Sequence, residues 1–280
     1  MNGEAAADFT LQGVSKVYRT LRGRTSALKD VDIRGTRGRA LGLIGPNGAG
    51  KTTLLKLLLG LLRPSAGEVR VFGAPVDLQA KRRMGFLPEE SYLYGFLSVR
   101  ETVEFAARLY PRAVENLARV DPVLEKVGMA RHQDRRISQC SKGMARRAAL
   151  AQTLVHDPEL LLLDEPTSGF DPMGRRDVKT LLKDLKQQGK TLLICTHQLA
   201  EIEDICDDVI ILYEGRVVVQ GTLDALMGEL REAFAVRRED QERLSAWLAE
   251  QGIHSQRVPS GALERFFIEA ISKWPSASSR

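Results

Sequence analysis

The run Gly45-Pro46-Asn47-Gly48-Ala49-Gly50-Lys51-Thr52-Thr53 narrows the fold of this 280-residue chain more than anything else in it. It follows the apolar segment Ala40–Ile44 and opens a stretch of helical composition, which is the context the pattern GxxxxGK[ST] requires. Glycines let the backbone turn its N–H groups toward a polyphosphate, and the helix N-terminus adds a favourable dipole. Lys51 supplies a point charge to the β and γ phosphates, and the Thr52 hydroxyl is suited to Mg2+. Residues Gly45 through Thr53 therefore read as a nucleotide site, with a parallel α/β sheet as its setting. The run does not say which P-loop family is present.

Short aliphatic runs at Ala40–Ile44, 160–163, Thr191–Cys195 and 209–213 predict buried strands, and their alternation with helical stretches predicts a parallel sheet wrapped by helices. Residues 51–62 read as one helix ended by Arg63-Pro64, and 178–187 as another stopped by Gly189. Segments 9–14, 29–33 and 68–72 alternate and predict an antiparallel layer beside the main sheet. Between about 86 and 155 the composition turns helical, with Val99, Val103, Ala107 and Tyr110 near helical spacing. The expected organisation is an α/β domain over 1–230 with an inserted helical subdomain, then a small α+β appendage over 231–280.

No aliphatic run approaches the roughly 18 to 20 apolar residues needed to span a bilayer, and the acidic start MNGEAAADF lacks the pattern of a secretory signal. A cytoplasmic location is expected. Cys140, Cys195 and Cys206 form no CxxC pair and read as reduced structural residues. The net charge of +5 is spread over scattered basic doublets, among them Arg82-Arg83, Arg146-Arg147 and Arg237-Arg238. These read mostly as solvated surface, and no nucleic acid partner is expected.

The strand at 160–163 ends in Asp164-Glu165. In phosphoryl chemistry such a pair divides two tasks: Asp164 holds Mg2+ and Glu165 polarises the attacking water. Cys140-Ser141-Lys142-Gly143-Met144 then resembles the signature motif of ATP-binding cassette (ABC) proteins, in an SKGM form of LSGGQ. Thr167-Ser168-Gly169-Phe170-Asp171 is similar to that family's D-loop, His197 matches its switch histidine, and Tyr18 matches the aromatic that stacks on adenine. From the residues alone, a tyrosine after an alternating strand serves equally well as packing. The motifs keep the family's order over residues 9 to about 222.

The resemblance implies a P-loop NTPase that binds ATP with Mg2+ and hydrolyses it, with Lys51, Glu165 and His197 as catalytic residues. It places Tyr18, Gly45 to Thr53, Glu89, Ser141, Gly143 and Asp171 at the nucleotide, and Thr52, Asp164 and Glu89 at the metal. It also implies a second ABC subunit, identical or not. Ser141 and the N–H groups after it would cap the γ-phosphate held by the partner's P-loop, so that dimer closure on ATP gives the stroke.

Two positions depart from the common pattern. Glu89 stands where many members carry the Q-loop glutamine; a glutamate accepts but does not donate, which favours a cation and repels a phosphate. Lys142 replaces the first glycine of the signature. The GFLPEE and SKGM forms resemble cassettes that pair with ABC-2 type permeases, an exporter-rich group, and Leu263-Glu264-Arg265-Phe266-Phe267 resembles a C-terminal element of that group. The expected function is an ATPase subunit powering transport through a separate multi-span permease, at the inner face of the cell membrane. The permease would dock near 86–96 and Arg100, where Phe86, Tyr92, Tyr94 and Phe96 read equally well as core. The alternative is a soluble ABC ATPase acting on ribosomes or nucleic acid. It is disfavoured because neither a second cassette, a long coiled coil nor a zinc module is legible.

Overall fold

A computed structural model describes residues 6–20 and 23–226. The elements run β1 (Ala7–Thr20), β2 (Gly23–Thr36), β3 (Ala40–Ile44), α1 (Lys51–Leu58), β4 (Ala66–Val71), β5 (Ala74–Pro75), α2 (Leu78–Arg82) and β6 (Met84–Leu87). They continue with α3 (Val99–Leu109), α4 (Ala113–Ala118), α5 (Val120–Lys126), α6 (Lys142–Leu154), β7 (Leu160–Asp164), α7 (Pro172–Gln187) and β8 (Thr191–Cys195). The last are α8 (Leu199–Ile205), β9 (Asp208–Tyr213), β10 (Arg216–Thr222) and α9 (Leu223–Leu226).

Six strands form one sheet in the order β10-β9-β3-β8-β7-β6, parallel except for β10 at one edge. Side chains on a strand point alternately to its two faces, and the core divides accordingly. Ile44, Leu161, Leu163, Leu192 and Ile194 pack with α3, α5, α6, α7 and α8 on one face. Leu41, Leu43, Leu160, Leu162, Leu193 and Cys195 pack on the other, with α1 and the second sheet. Every residue of β3, β7 and β8 is buried, which is why these strands read as continuous aliphatic runs rather than alternating ones. The second sheet, β2-β1-β4-β5, is antiparallel. Its β2 alternates buried and open positions toward its C-terminal end, with Leu28, Val31 and Ile33 inward.

Several expected boundaries move. The helix expected over 51–62 stops at Leu58: Gly60 takes φ 60°, and the N–H groups of Leu61 and Leu62 turn back to the Lys56 carbonyl. That left-handed closure ends a helix without proline. Helix α7 starts at Pro172 rather than 178, because Asp171 Oδ1 accepts the Gly174 N–H at 2.7 Å and caps it. The expected helical insert from 86 begins with sheet instead, since Phe86 and Leu87 belong to β6, paired in parallel with β7. Within the insert, Val99, Val103 and Ala107 face inward as expected, and Ser98 with Glu101 forms a capping box that starts α3. The appendage expected over 231–280 lies outside the described residues.

Candidate active site

The parallel register brings the C-terminal ends of four neighbouring strands to one edge of the sheet. From there β3 leads into Gly45 to Lys51, β8 into Thr196 and His197, β7 into Asp164 and Glu165, and β6 into Glu89. In open α/β sheets this edge is where ligands bind. A cavity of about 490 Å3 opens there, lined by Ala27, the whole run from Gly45 to Thr53, Glu89, Asp164, Glu165 and His197. The fold thus brings the P-loop, both acids, the glutamate at 89 and the histidine together in one cavity.

Gly50 precedes α1 at φ 111°, and a Cβ there would stand 2.6 Å from the Ala27 carbonyl oxygen. Both the backbone angle and the approach of β2 require glycine. Lys51 Nζ donates to the Gly45 carbonyl at 2.5 Å and the Pro46 carbonyl at 3.2 Å, holding the ammonium over the loop. Glu165 lies just beyond β7 with φ 50°, an uncommon left-handed conformation for a glutamate. Its Oε1 accepts the His197 backbone N–H at 3.1 Å and lies 2.8 Å from His197 Nδ1, while Oε2 accepts from Thr196 Oγ1 at 3.4 Å. The carboxylate is buried and the imidazole largely exposed.

Three carboxylates crowd this cavity. Burial, then Glu89 and Glu165, push the Asp164 carboxyl up to about 6, against the opposing pull of Lys51 and Arg146. A cation relieves that repulsion, so the donor set of Thr52, Asp164 and Glu89 fits Mg2+. Among the described residues no three His, Cys, Asp or Glu side chains form a cage for a metal. An ion held here would take its other ligands from phosphate and water, as Mg2+ usually does.

The raised carboxyl has a consequence for stability. Its folded-state value lies above the ordinary 3.8, so its contribution is fully present below that value and is lost as pH rises through about 6. Asp164→Asn therefore raises the melting temperature of the ligand-free protein by a few degrees at pH 7.5, and the gain shrinks toward pH 4. Thermal unfolding across that range checks this; a gain that grew on acidification would contradict it.

Other predicted site residues lie elsewhere. Ser141 caps α6 by accepting the Met144 N–H at 3.2 Å and is exposed. Gly143 lies against Gly169 and Phe170, so the signature run abuts the D-loop run in the same chain. Asp171 caps α7, and Tyr18 touches the P-loop helix through its hydroxyl, 3.3 Å from Thr53 Oγ1. None of these four lines the phosphate cavity.

Sequence reasoning missed Arg146. It counted the Arg146-Arg147 doublet among solvated surface charges, yet Arg146 is 6% exposed. Arg147 is partly buried and paired with Asp177 at 2.8 Å. Helical spacing carried the signal: Arg146 lies on the buried face of α6 with Ala149, Leu150 and Thr153.

The ABC transporter family model matches residues 28–168, which include the P-loop, the signature run and both acids. The chain belongs to the ABC transporter family. It is 43% identical over 267 residues to an uncharacterized ABC transporter ATP-binding protein of Nostoc, covering 92% of this chain and 79% of that one. It is 39% identical to the daunorubicin resistance ATP-binding protein DrrA3 of Streptomyces coeruleorubidus, covering 79% and 70%. It is 37% identical to the Nod factor export ATP-binding protein I of Paraburkholderia xenovorans, covering 80% and 73%. Among solved structures it superimposes on a dimeric ATP-binding cassette in a post-hydrolysis state bound to ADP and Pi, with TM-score 0.71 and 27% identity over 77% of this chain and 98% of that one. This ABC cassette is an ATP-binding subunit and an ATPase, and its relatives include exporter-type proteins.

Proposed function

We propose that this ABC cassette powers export through a separate multi-span permease, working as a dimer that closes on ATP at the inner face of the membrane. Glu165 takes a proton from the attacking water, positioned by the His197 main chain and by Thr196. His197 lies beside the γ-phosphate as its sensor. Lys51 and the P-loop N–H groups neutralise the phosphates, and Ser141 with Gly143 of a second copy, or of a related subunit, caps them from the far side. Asp171 then faces the dimer seam, and Tyr18 is offered as the adenine platform. Thr52 and Asp164, with Glu89 alongside, would hold Mg2+, which would supply charge neutralisation at the phosphates.

The observation that carries the transport reading is an exposed aromatic surface beside the helical insert. Tyr92 is 89% exposed, Phe96 71% and Leu109 67%, and Tyr94 and Phe105 are partly open. Tyr94 lies tilted against Phe96 and meets Phe105 edge-on, at ring distances of 5.6 and 5.9 Å. Of these exposed side chains, Tyr92 and Leu109 line a groove of about 520 Å3, together with Leu61, Phe86, Leu93, Ala106 and Tyr110 among others. Of the four aromatics that read equally well as core, Tyr92, Tyr94 and Phe96 are surface, whereas Phe86 lies in β6, partly buried against the core. Arg100, by contrast, is engaged by Gln133, Asp121 and Glu104. Apolar surface of this kind, next to the segment that ends in Glu89, suits the short helices of a permease. Among the described residues no helix is long and apolar enough to cross a membrane.

The test is affinity capture of Glu165→Gln protein from gently solubilised membranes with ATP and Mg2+. A multi-span membrane protein is expected, lost when Tyr92 and Phe96 are both changed to Ser. Recovery of ribosomes or nucleic acid instead would overturn the transport reading in favour of the soluble alternative.

A further inference from the structure

Arg146 makes five hydrogen bonds, and together they join three separate pieces of the chain. Its Nη1 donates to the Pro88 carbonyl, to the Glu89 carbonyl at 2.9 Å and to Ser91 Oγ at 3.0 Å. Its Nη2 donates to the Asp164 and Glu165 carbonyls at 2.8 and 2.9 Å. Four of the five acceptors are main-chain oxygens at the residues that aim Glu89, Asp164 and Glu165 into the phosphate cavity. The guanidinium is therefore a fixed donor fork beneath the three carboxylates, and its charge offsets theirs. It sits on α6, whose first turn is capped by Ser141 five residues earlier, about 7.5 Å along the helix axis.

We propose that Arg146 is a positioning residue that couples the Ser141 end of α6 to the acidic edge of the same chain's phosphate cavity, so that a contact made at Ser141 moves Glu89, Asp164 and Glu165 as a unit. This rests on the reading of Ser141 as the cap for a partner's nucleotide. The physical basis is the rigidity of the link. A helix transmits displacement along its axis, and a buried planar fork holding carbonyls of two strand ends leaves them little freedom to move separately. A lysine at this position keeps the charge but has three donors on a flexible stem, so it cannot hold both strand ends in the arginine's geometry. Burial also pulls the Arg146 guanidinium below its ordinary value, against the raising effect of Asp164, Glu89 and Glu165.

The test compares wild type, Arg146→Lys and Arg146→Met in three measurements: melting temperature, ATP affinity of the isolated protein, and steady-state ATPase rate with its dependence on ATP concentration. Arg146→Met leaves buried carbonyls unsatisfied and risks misfolding; Arg146→Lys keeps the comparison decisive. For Arg146→Lys the turnover number is expected to fall about 10- to 100-fold. ATP affinity should stay within about threefold, because the P-loop is untouched. Co-operativity of the rate with ATP concentration should fall with turnover. A folded Arg146→Lys protein with wild-type turnover and co-operativity would overturn the proposal. So would parallel losses of melting temperature, affinity and rate, which describe a structural role alone. The wild-type rate judges the proposed function separately: a co-operative wild type whose Arg146→Lys variant is equally co-operative refutes the coupling and leaves the dimer reading standing.

Discussion

Glu165→Gln protein is expected to hydrolyse ATP about 100-fold or more slowly than wild type while binding it as tightly. The side chains have the same shape, so the amide oxygen still accepts the His197 N–H now bound by Glu165 Oε1, and the φ of 50° at this position is undisturbed. Only the capacity to take a proton is lost. The change also removes one of the charges that raise Asp164, so affinity for the anionic nucleotide should hold or improve. ATPase rate and binding of a fluorescent ATP analogue, measured on the same preparation, check both halves. Hydrolysis within a few-fold of wild type would remove Glu165 from the chemistry. Loss of binding together with rate would make it a binding residue.

The second large effect is on binding. Lys51→Ala is expected to weaken ATP affinity by about 10- to 100-fold, the scale of a lost charge-assisted contact. The sign follows from the cavity's balance. Lys51 is the one lysine or arginine among its lining residues, against Glu89, Asp164 and Glu165. Without it, a polyphosphate meets P-loop N–H groups alone with three carboxylates opposite. The fold should tolerate the change, since Nζ bonds to carbonyls of its own loop rather than to the core. Titration of wild type and variant with the same analogue decides it, and equal affinity would mean that the loop N–H groups carry the binding.

Those two residues were legible because their chemistry is local. Gly50, Lys51 and Thr52 are adjacent in the chain, and Asp164 and Glu165 end a strand whose full burial wrote an unbroken aliphatic run. The same burial made β3 and β8 readable to the residue. Where sequence reading failed, the deciding interaction was distant or weakly patterned. β6 is four residues long and β10 is an edge strand with no residue fully buried, so neither carries a pattern that distinguishes it from a loop. α1 continues in composition to Leu62, but backbone closure at Gly60 ends it. Arg146 reads as one of many basic doublets until the fold brings the carbonyls of residues 88, 89, 164 and 165 around it. A second unanticipated tie behaves alike: Thr167 of the D-loop donates to Glu201 on α8, and both are buried. That bond links the D-loop to the helix following His197, and neither side chain advertises it.

In the proposed dimer, where the signature run would serve another copy's nucleotide, the chain's own acids, residues 167–171 and His197 would have to respond to what happens at that distant edge. Arg146 and the pair Thr167–Glu201 are the connections visible inside one chain.

The most direct measurement is the solution mass of Glu165→Gln protein by light scattering, with saturating ATP and Mg2+, with ADP and Mg2+, and with Ser141→Arg added. Closure of two copies on ATP predicts a doubled mass with ATP, a monomer with ADP, and a monomer with bound ATP when Ser141 is replaced. A protein that binds ATP and doubles its mass despite Ser141→Arg, or that dimerises equally with ADP, would contradict the shared nucleotide site on which the account rests.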